Sequence, residues 1–175
     1  MNPSSSDPHL SGPWAEADID RFLSEARYPV RLACTCKDGY PRVVSLWYRF
    51  HAGKLFCVMH QNATVARILS GNPKVGFEVS PNTPPYFGLR GQGDVTLEPL
   101  GDSNTLELLL GQYLGDCNST LARWLLSRSD EELLVTIQPS RLFSWDYRER
   151  MAAVARRFLT GRVGVSIDGF AGRYA

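Results

Sequence analysis

The stretch from Asp38 to Val79 most constrains what this chain can fold into, because turn residues interrupt short apolar alternations at close intervals. Asp38-Gly39 is a hairpin signal, preceded by alternation from Val30 to Cys36. After it, Val43, Ser45 and Trp47 share one strand face, and Val44, Leu46 and Tyr48 share the other. Ala52-Gly53 makes a second turn, and Leu55 to Met59 forms another strand. Asn62 to Ser70 then places Val65, Ile68 and Leu69 at helical spacing, and Asn72-Pro73 stops the helix. Val75 to Val79 resumes the sheet.

The rest of the chain extends this pattern. Residues 1–16 are expected to form a disordered tail, the first thirteen being rich in Pro and Ser. Asp18 to Ala26 reads as a short amphipathic helix on Ile19, Phe22, Leu23 and Ala26. Strands are expected at Val30–Cys36, Arg42–Phe50, Leu55–Met59, Val75–Val79, Tyr86–Leu97 and Leu133–Ile137. Gly91 and Gly93 inside the fifth strand point to a bulge or a sharp bend. Helices are expected at Asp102–Leu114 and Ser119–Ser127. A last one at Met151–Leu159 opens a C-terminal segment, 151–175, that ends Gly-rich. Six alternating strands with few helices favour a mainly β chain, a small antiparallel barrel with peripheral helices, over residues 17–150.

Composition bounds the function. With 175 residues, 43% of them hydrophobic, the chain suits one domain with a real core. Its formal net charge of +1, with both signs mixed along the chain, gives no general attraction to nucleic acid or to an anionic membrane. No run is long enough to cross a bilayer. The first residues lack the basic start and apolar middle of a secretory signal, so the expected location is cytoplasmic. No Ser-His-Asp grouping, HExxH, Walker loop or GxGxxG is present, so no catalytic residue is assigned. Cys34, Cys36, Cys57 and Cys117 lack CxxC spacing. A metal or redox site on Cys34, Cys36 and Cys57 with His60 is a distant alternative, and no metal is expected.

Several local motifs, in order, resemble the pyridoxamine 5′-phosphate oxidase superfamily. They are Gly39-Tyr40-Pro41-Arg42 before Trp47-Tyr48, Gly53-Lys54-Leu55-Phe56, Ala66-Arg67-Ile68-Leu69 before Asn72-Pro73-Lys74-Val75, Leu89-Arg90-Gly91-Gln92-Gly93, and Pro139-Ser140-Arg141-Leu142 before Trp145-Asp146. The resemblance covers about residues 17–150. It implies a six-stranded split β-barrel of Greek-key type and a homodimer with cofactor sites at the interface. It also implies an FMN- or deazaflavin-dependent oxidoreductase moving a hydride to or from a small organic substrate. The alternative on the same fold is a non-catalytic carrier of flavin, deazaflavin or, less favoured, haem.

Carried over residue by residue, the resemblance puts Arg42, Val43, Val44, Ser45, Leu46 and Trp47 along the cofactor ring. Val58, Met59 and His60 line the site, Thr64 and Arg67 join Arg42 at the phosphate, and Tyr86, Gln92 and Trp145 face the ring. Where the family commonly has a phosphate-binding Lys, this chain has Val65. Read on their own, these residues keep other roles open. Arg42 is a phosphate clamp or an exposed strand arginine, and Arg67 a ligand or a solvated helix residue. Trp47 and Trp145 are ring covers or core and interface aromatics, and His60 is a proton donor or a loop histidine. Phe158 and Tyr174 suggest an arm completing the dimer.

Overall fold

Both hairpins form where their turn residues place them. Gly39 adopts a φ of 87°, and Cys36 and Tyr40 close the loop with a 2.9 Å backbone hydrogen bond. Ala52 and Gly53 take φ values of 47° and 75°, the two positive angles that a two-residue hairpin turn demands. The computed structural model describes residues 7–115 and 117–159. Its elements are β1 (His9–Ser11), α1 (Glu16–Glu25), β2 (Val30–Thr35), β3 (Pro41–Leu46), β4 (Tyr48–His51), β5 (Lys54–His60) and α2 (Thr64–Gly71). They continue with β6 (Lys74–Val79), β7 (Phe87–Pro99), α3 (Thr105–Leu114), α4 (Thr120–Leu126), β8 (Glu132–Asp146) and α5 (Arg148–Leu159).

The strands form one curled sheet in the order β3-β2-β6-β7-β8-β5-β4, antiparallel throughout, with β1 added parallel to β8. The non-consecutive neighbours β2–β6 and β8–β5 make the connections Greek-key in type. Consecutive strands β3 and β4 sit at opposite edges of that sheet, with Trp47 between them, and β3 approaches β5 across the gap. The sheet therefore curls until its two edges are joined through the chain, which is a split barrel. The core inside it is built from alternate residues such as Leu32, Phe77, Leu89 and Ile137. Helix α1 adds Ile19 and Leu23, and α2 adds Val65 and Leu69. Tyr48 is fully buried there and donates its hydroxyl to the Leu23 carbonyl at 3.0 Å.

Three expectations are corrected. The single strand Arg42–Phe50 breaks at Trp47, because its two halves pair with different partners, β2 and β5. The last strand runs on from Leu133–Ile137 to Asp146. Pro139 is tolerated mid-strand because the register shifts beside it, leaving Ser140 as the extra residue of a bulge. The tail is not disordered throughout, since residues 9–11 add a strand to β8 and Trp14 packs on Phe22 at 5.0 Å between centroids. Among the described residues eight strands thus stand where six were expected. The C-terminal segment beyond residue 159, with Tyr174, and the Phe158 side chain lie outside the described residues.

Candidate functional site

The outer face of the sheet, opposite the core, has two differently built halves. Over β4, β5 and the start of β8, helices α3 and α4 lie against it. Leu100, Leu106, Leu110 and Ala122 are buried there with Trp47, Val58 and Leu134 packed around them. Trp47 stacks on Tyr113 of α3 with centroids 5.2 Å apart and planes at 10°.

The other half, over β1, β2, β3, β6, β7 and the end of β8, carries no helix among the described residues. Strand register places two rows of outward residues side by side. One row reads Ser45, Arg31, Glu78, Arg90, Phe143 and Ser11; the next reads Val43, Ala33, Gly76, Gln92, Arg141 and His9. Because the second row is small at Ala33 and Gly76, a cleft of about 750 Å³ opens there, with Trp145 at its far wall. Arg31 is held by the Ser80 hydroxyl at 3.2 Å, by Glu78 at 3.5 Å and by the Asn82 side chain. The Arg90 guanidinium sits 4.4 Å over the Phe143 ring and 5.9 Å from that of Trp145, a cation–π arrangement that fixes a long side chain.

A second polar cluster joins the end of β5 to the start of α2. His60 Nδ1 accepts the Asn62 backbone N–H at 3.0 Å, and Nε2 lies 2.7 Å from Glu131 Oε2. Both ring nitrogens of His60 are thus engaged, one with a backbone donor and one with a carboxylate. The Arg128 guanidinium, 2.7 Å away, and then His60 hold the Glu131 carboxyl below the usual carboxylate range. At the exposed start of α2 the Thr64 hydroxyl accepts from Arg67 Nη2 at 3.3 Å.

The structure disperses the residues proposed from sequence. Val43, Gln92 and Trp145 meet in the cleft. Val44, Leu46 and Met59 belong to the core, and Trp47 and Val58 to the cluster under α3 and α4. His60, Thr64 and Arg67 gather at the β5–α2 junction, while Arg42 and Ser45 stand exposed on the edge strand β3. Tyr86 lies at the start of β7, its N–H directed to Met151 Sδ at 3.3 Å and its carbonyl accepting from Tyr147. Val65 points into the core, 7% exposed, which is why that position carries no charge. Sequence reasoning missed Arg31, Glu78, Arg141, Phe143 and His9. Only Arg31 and Glu78 fall in expected strands; His9 lay in the expected tail and Arg141 and Phe143 beyond the last expected strand, and the strand order makes all five neighbours. Cys34 and Cys57 are buried, and burial pushes both thiols up and out of reach of deprotonation at neutral pH. Among the described residues no three His, Cys, Asp or Glu side chains group as metal ligands, and no helix is long and apolar enough to cross a membrane.

No family model and no curated protein matches the sequence. Solved structures match the fold. The conserved hypothetical protein Rv2991 from Mycobacterium tuberculosis superposes with a TM-score of 0.66 at 20% identity, covering 91% of this chain and 96% of that one. An F420 reductase gives 0.58 at 21% identity, over 69% of this chain and 92% of the other. The haem storage protein HutZ from Vibrio cholerae gives 0.57 at 18%, over 73% and 92%. The chain therefore shares the fold of these structures, a split β-barrel.

Proposed function

We propose that this chain is an FMN- or deazaflavin-dependent oxidoreductase that works as a homodimer and moves a hydride to or from a small organic substrate. The observation that carries this reading is the free edge of β3 beside the bare cleft. Among the described residues β3 pairs only with β2, so alternate backbone N–H and C=O groups face outward where a planar cofactor can lie along them. The groups at hand fit an anionic cofactor. Exposed Arg42 stands at the start of β3. The Thr64–Arg67 pair stands at the start of α2, which Ala63 caps without a side-chain hydrogen bond, leaving first-turn N–H groups for a phosphate.

When bound, the flavin or deazaflavin supplies the hydride chemistry. The chain supplies position: Val44 to Leu46 set the backbone edge, Arg42, Thr64 and Arg67 hold negative charge, and a second copy shields the exposed side. An unpaired edge strand with Tyr40 and Val43 strongly exposed suits such a copy.

The test is an absorbance spectrum of the protein with FMN, deazaflavin or haem added separately. A retained flavin or deazaflavin band, lost in Arg42→Ala while thermal stability is kept, is the expected result. No band with either cofactor overturns the reading. A haem Soret band alone favours the carrier reading, for which the missing Lys at Val65 speaks.

A further inference from the structure

We infer that the pocket between α1, Trp14 and the paired ends of β7 and β8 binds a small organic cation of the quaternary ammonium class. This site is separate from the cleft, lies on the other face of the same strand pair, and does not depend on the cofactor reading.

Three elements build its walls. Phe87 and Asp146 are register partners at the end of the β7–β8 pair, so they share a face, while Trp145 points the other way into the cleft. Trp14 follows β1 and is tied to that end twice. Its backbone N–H donates to Ser144 Oγ, and its indole Nε1–H donates to Asp146 Oδ2. Phe22 projects half-buried from the flank of α1, whose Ile19 and Leu23 enter the core. The three ring centroids lie 5.0, 6.0 and 6.4 Å apart, with planes tilted by 57°, 70° and 53°. Together they wall a pocket of about 370 Å³, at the low end of ligand-binding volumes and suited to a small molecule.

The charge around those rings selects the ligand. Three carboxylates and two guanidinium groups line the pocket. Arg21 is paired with Asp18 at 2.6 Å, and Arg148 with Asp146 through Nε at 2.9 Å. Glu25 has no ion-pair partner among the described residues, so the lining keeps one negative charge in excess. Arg27, next along the chain, does not line this pocket. Its Nη1 donates to the carbonyl oxygens of Ser24, Glu25 and Ala26 at the end of α1. The rings already draw a cation of the chain's own, since the Arg148 guanidinium sits 4.6 Å over Phe87. Trp14 and Phe22 carry none among the described residues. A quaternary ammonium spreads its charge over methyl groups and is attracted by the negative faces of such rings. It also meets the Glu25 carboxylate at the rim. An anion is repelled there, and an uncharged group of the same shape gains burial without the attraction.

The test is a titration of the isotope-labelled full chain with choline, read at the Trp14 indole N–H resonance, which Trp14→Phe identifies by its disappearance. Choline should move that resonance to saturation. Neohexyl alcohol, its uncharged carbon isostere, should bind at least about fivefold more weakly. Phe22→Leu removes a ring but keeps an apolar side chain, and should weaken choline by about threefold or more. Glu25→Gln, on the exposed rim, should weaken it by about two- to fivefold with an unchanged melting temperature. Equal affinity for choline and the alcohol overturns the inference, since the pocket would then recognise shape alone. An unmoved Trp14 resonance, or a choline affinity that either variant leaves as in the wild type, overturns it as well.

Discussion

The two halves of the outer face obey the same alternation and share only β8, yet one is a second core and the other an open cleft. The difference lies in the outward residues. On the covered side Val58 and Leu134, register partners on β5 and β8, are apolar, and such a face must be buried. On the bare side the corresponding positions are Arg31, Glu78, Arg90 and Gln92 around Ala33 and Gly76. A face of that kind loses hydration if a helix covers it and gains nothing in return. The chain therefore spends α3 and α4 on one half only, and the site is what is left open.

The largest effect that tests this contrast is expected at Leu110, fully buried where α3 meets the sheet. Leu110→Ala should cost about 2–5 kcal/mol in urea denaturation, with loss of the Trp47–Tyr113 stack visible in near-ultraviolet circular dichroism. A cost near zero would mean that the helical cover is an ornament and that the two halves do not differ in kind.

Glycines sharpen the comparison within the bare half. A Cβ at Gly91 would meet Phe77 Cζ at 2.4 Å and the Arg141 carbonyl oxygen at 2.8 Å, so Gly91→Ala overpacks the core side and should cost about 1–3 kcal/mol. Gly76→Ala faces only the cleft and should stay within about 0.5 kcal/mol of wild type. Equal melting temperatures for the two variants would erase the distinction between a glycine the packing requires and one it does not.

The sequence made the turns and the faces legible because both are local. Asp38-Gly39 and Ala52-Gly53 declare positive φ, and period-two alternation from Val30 to Val79 separates core from surface. It did not show that Trp47 divides a strand, because the cause is non-local: one half pairs with β2 and the other with β5. The length of β8 was hidden by Pro139, which argues against a strand until the bulge at Ser140 is seen. The site suffered in the same way. Arg31, Arg90 and Arg141 lie far apart in the chain and become neighbours through the order β2-β6-β7-β8 alone. His60 read as a proton donor or a loop histidine, and its 2.7 Å partner Glu131, distant in sequence, was not visible from local pattern.

The smallest expected effect concerns the bare half's own edge, which β1 borders. Here the chain uses polar contacts in place of apolar cover. The Ser144 hydroxyl accepts the Trp14 N–H at 3.0 Å, and the Asp146 carboxylate accepts Trp14 Nε1–H at 3.2 Å. Hydrogen bonds from Arg148 and then from Trp14 hold the Asp146 carboxyl down at about 2. With a folded pKa depressed below the ordinary value, this group's stabilisation is fully present above about pH 4 and disappears as pH falls toward 2. Hydrogen exchange corrected for intrinsic rates should therefore show residues 9–14 losing protection across that window, by an amount on the order of 1 kcal/mol. Helices α3 and α4, held by apolar burial, should keep theirs. Asp146→Asn should show the weaker protection of residues 9–14 at every pH, with the acid step gone. Loss of α3 protection in the same window as β1 would break the comparison, because cover and edge would then be one cooperative unit.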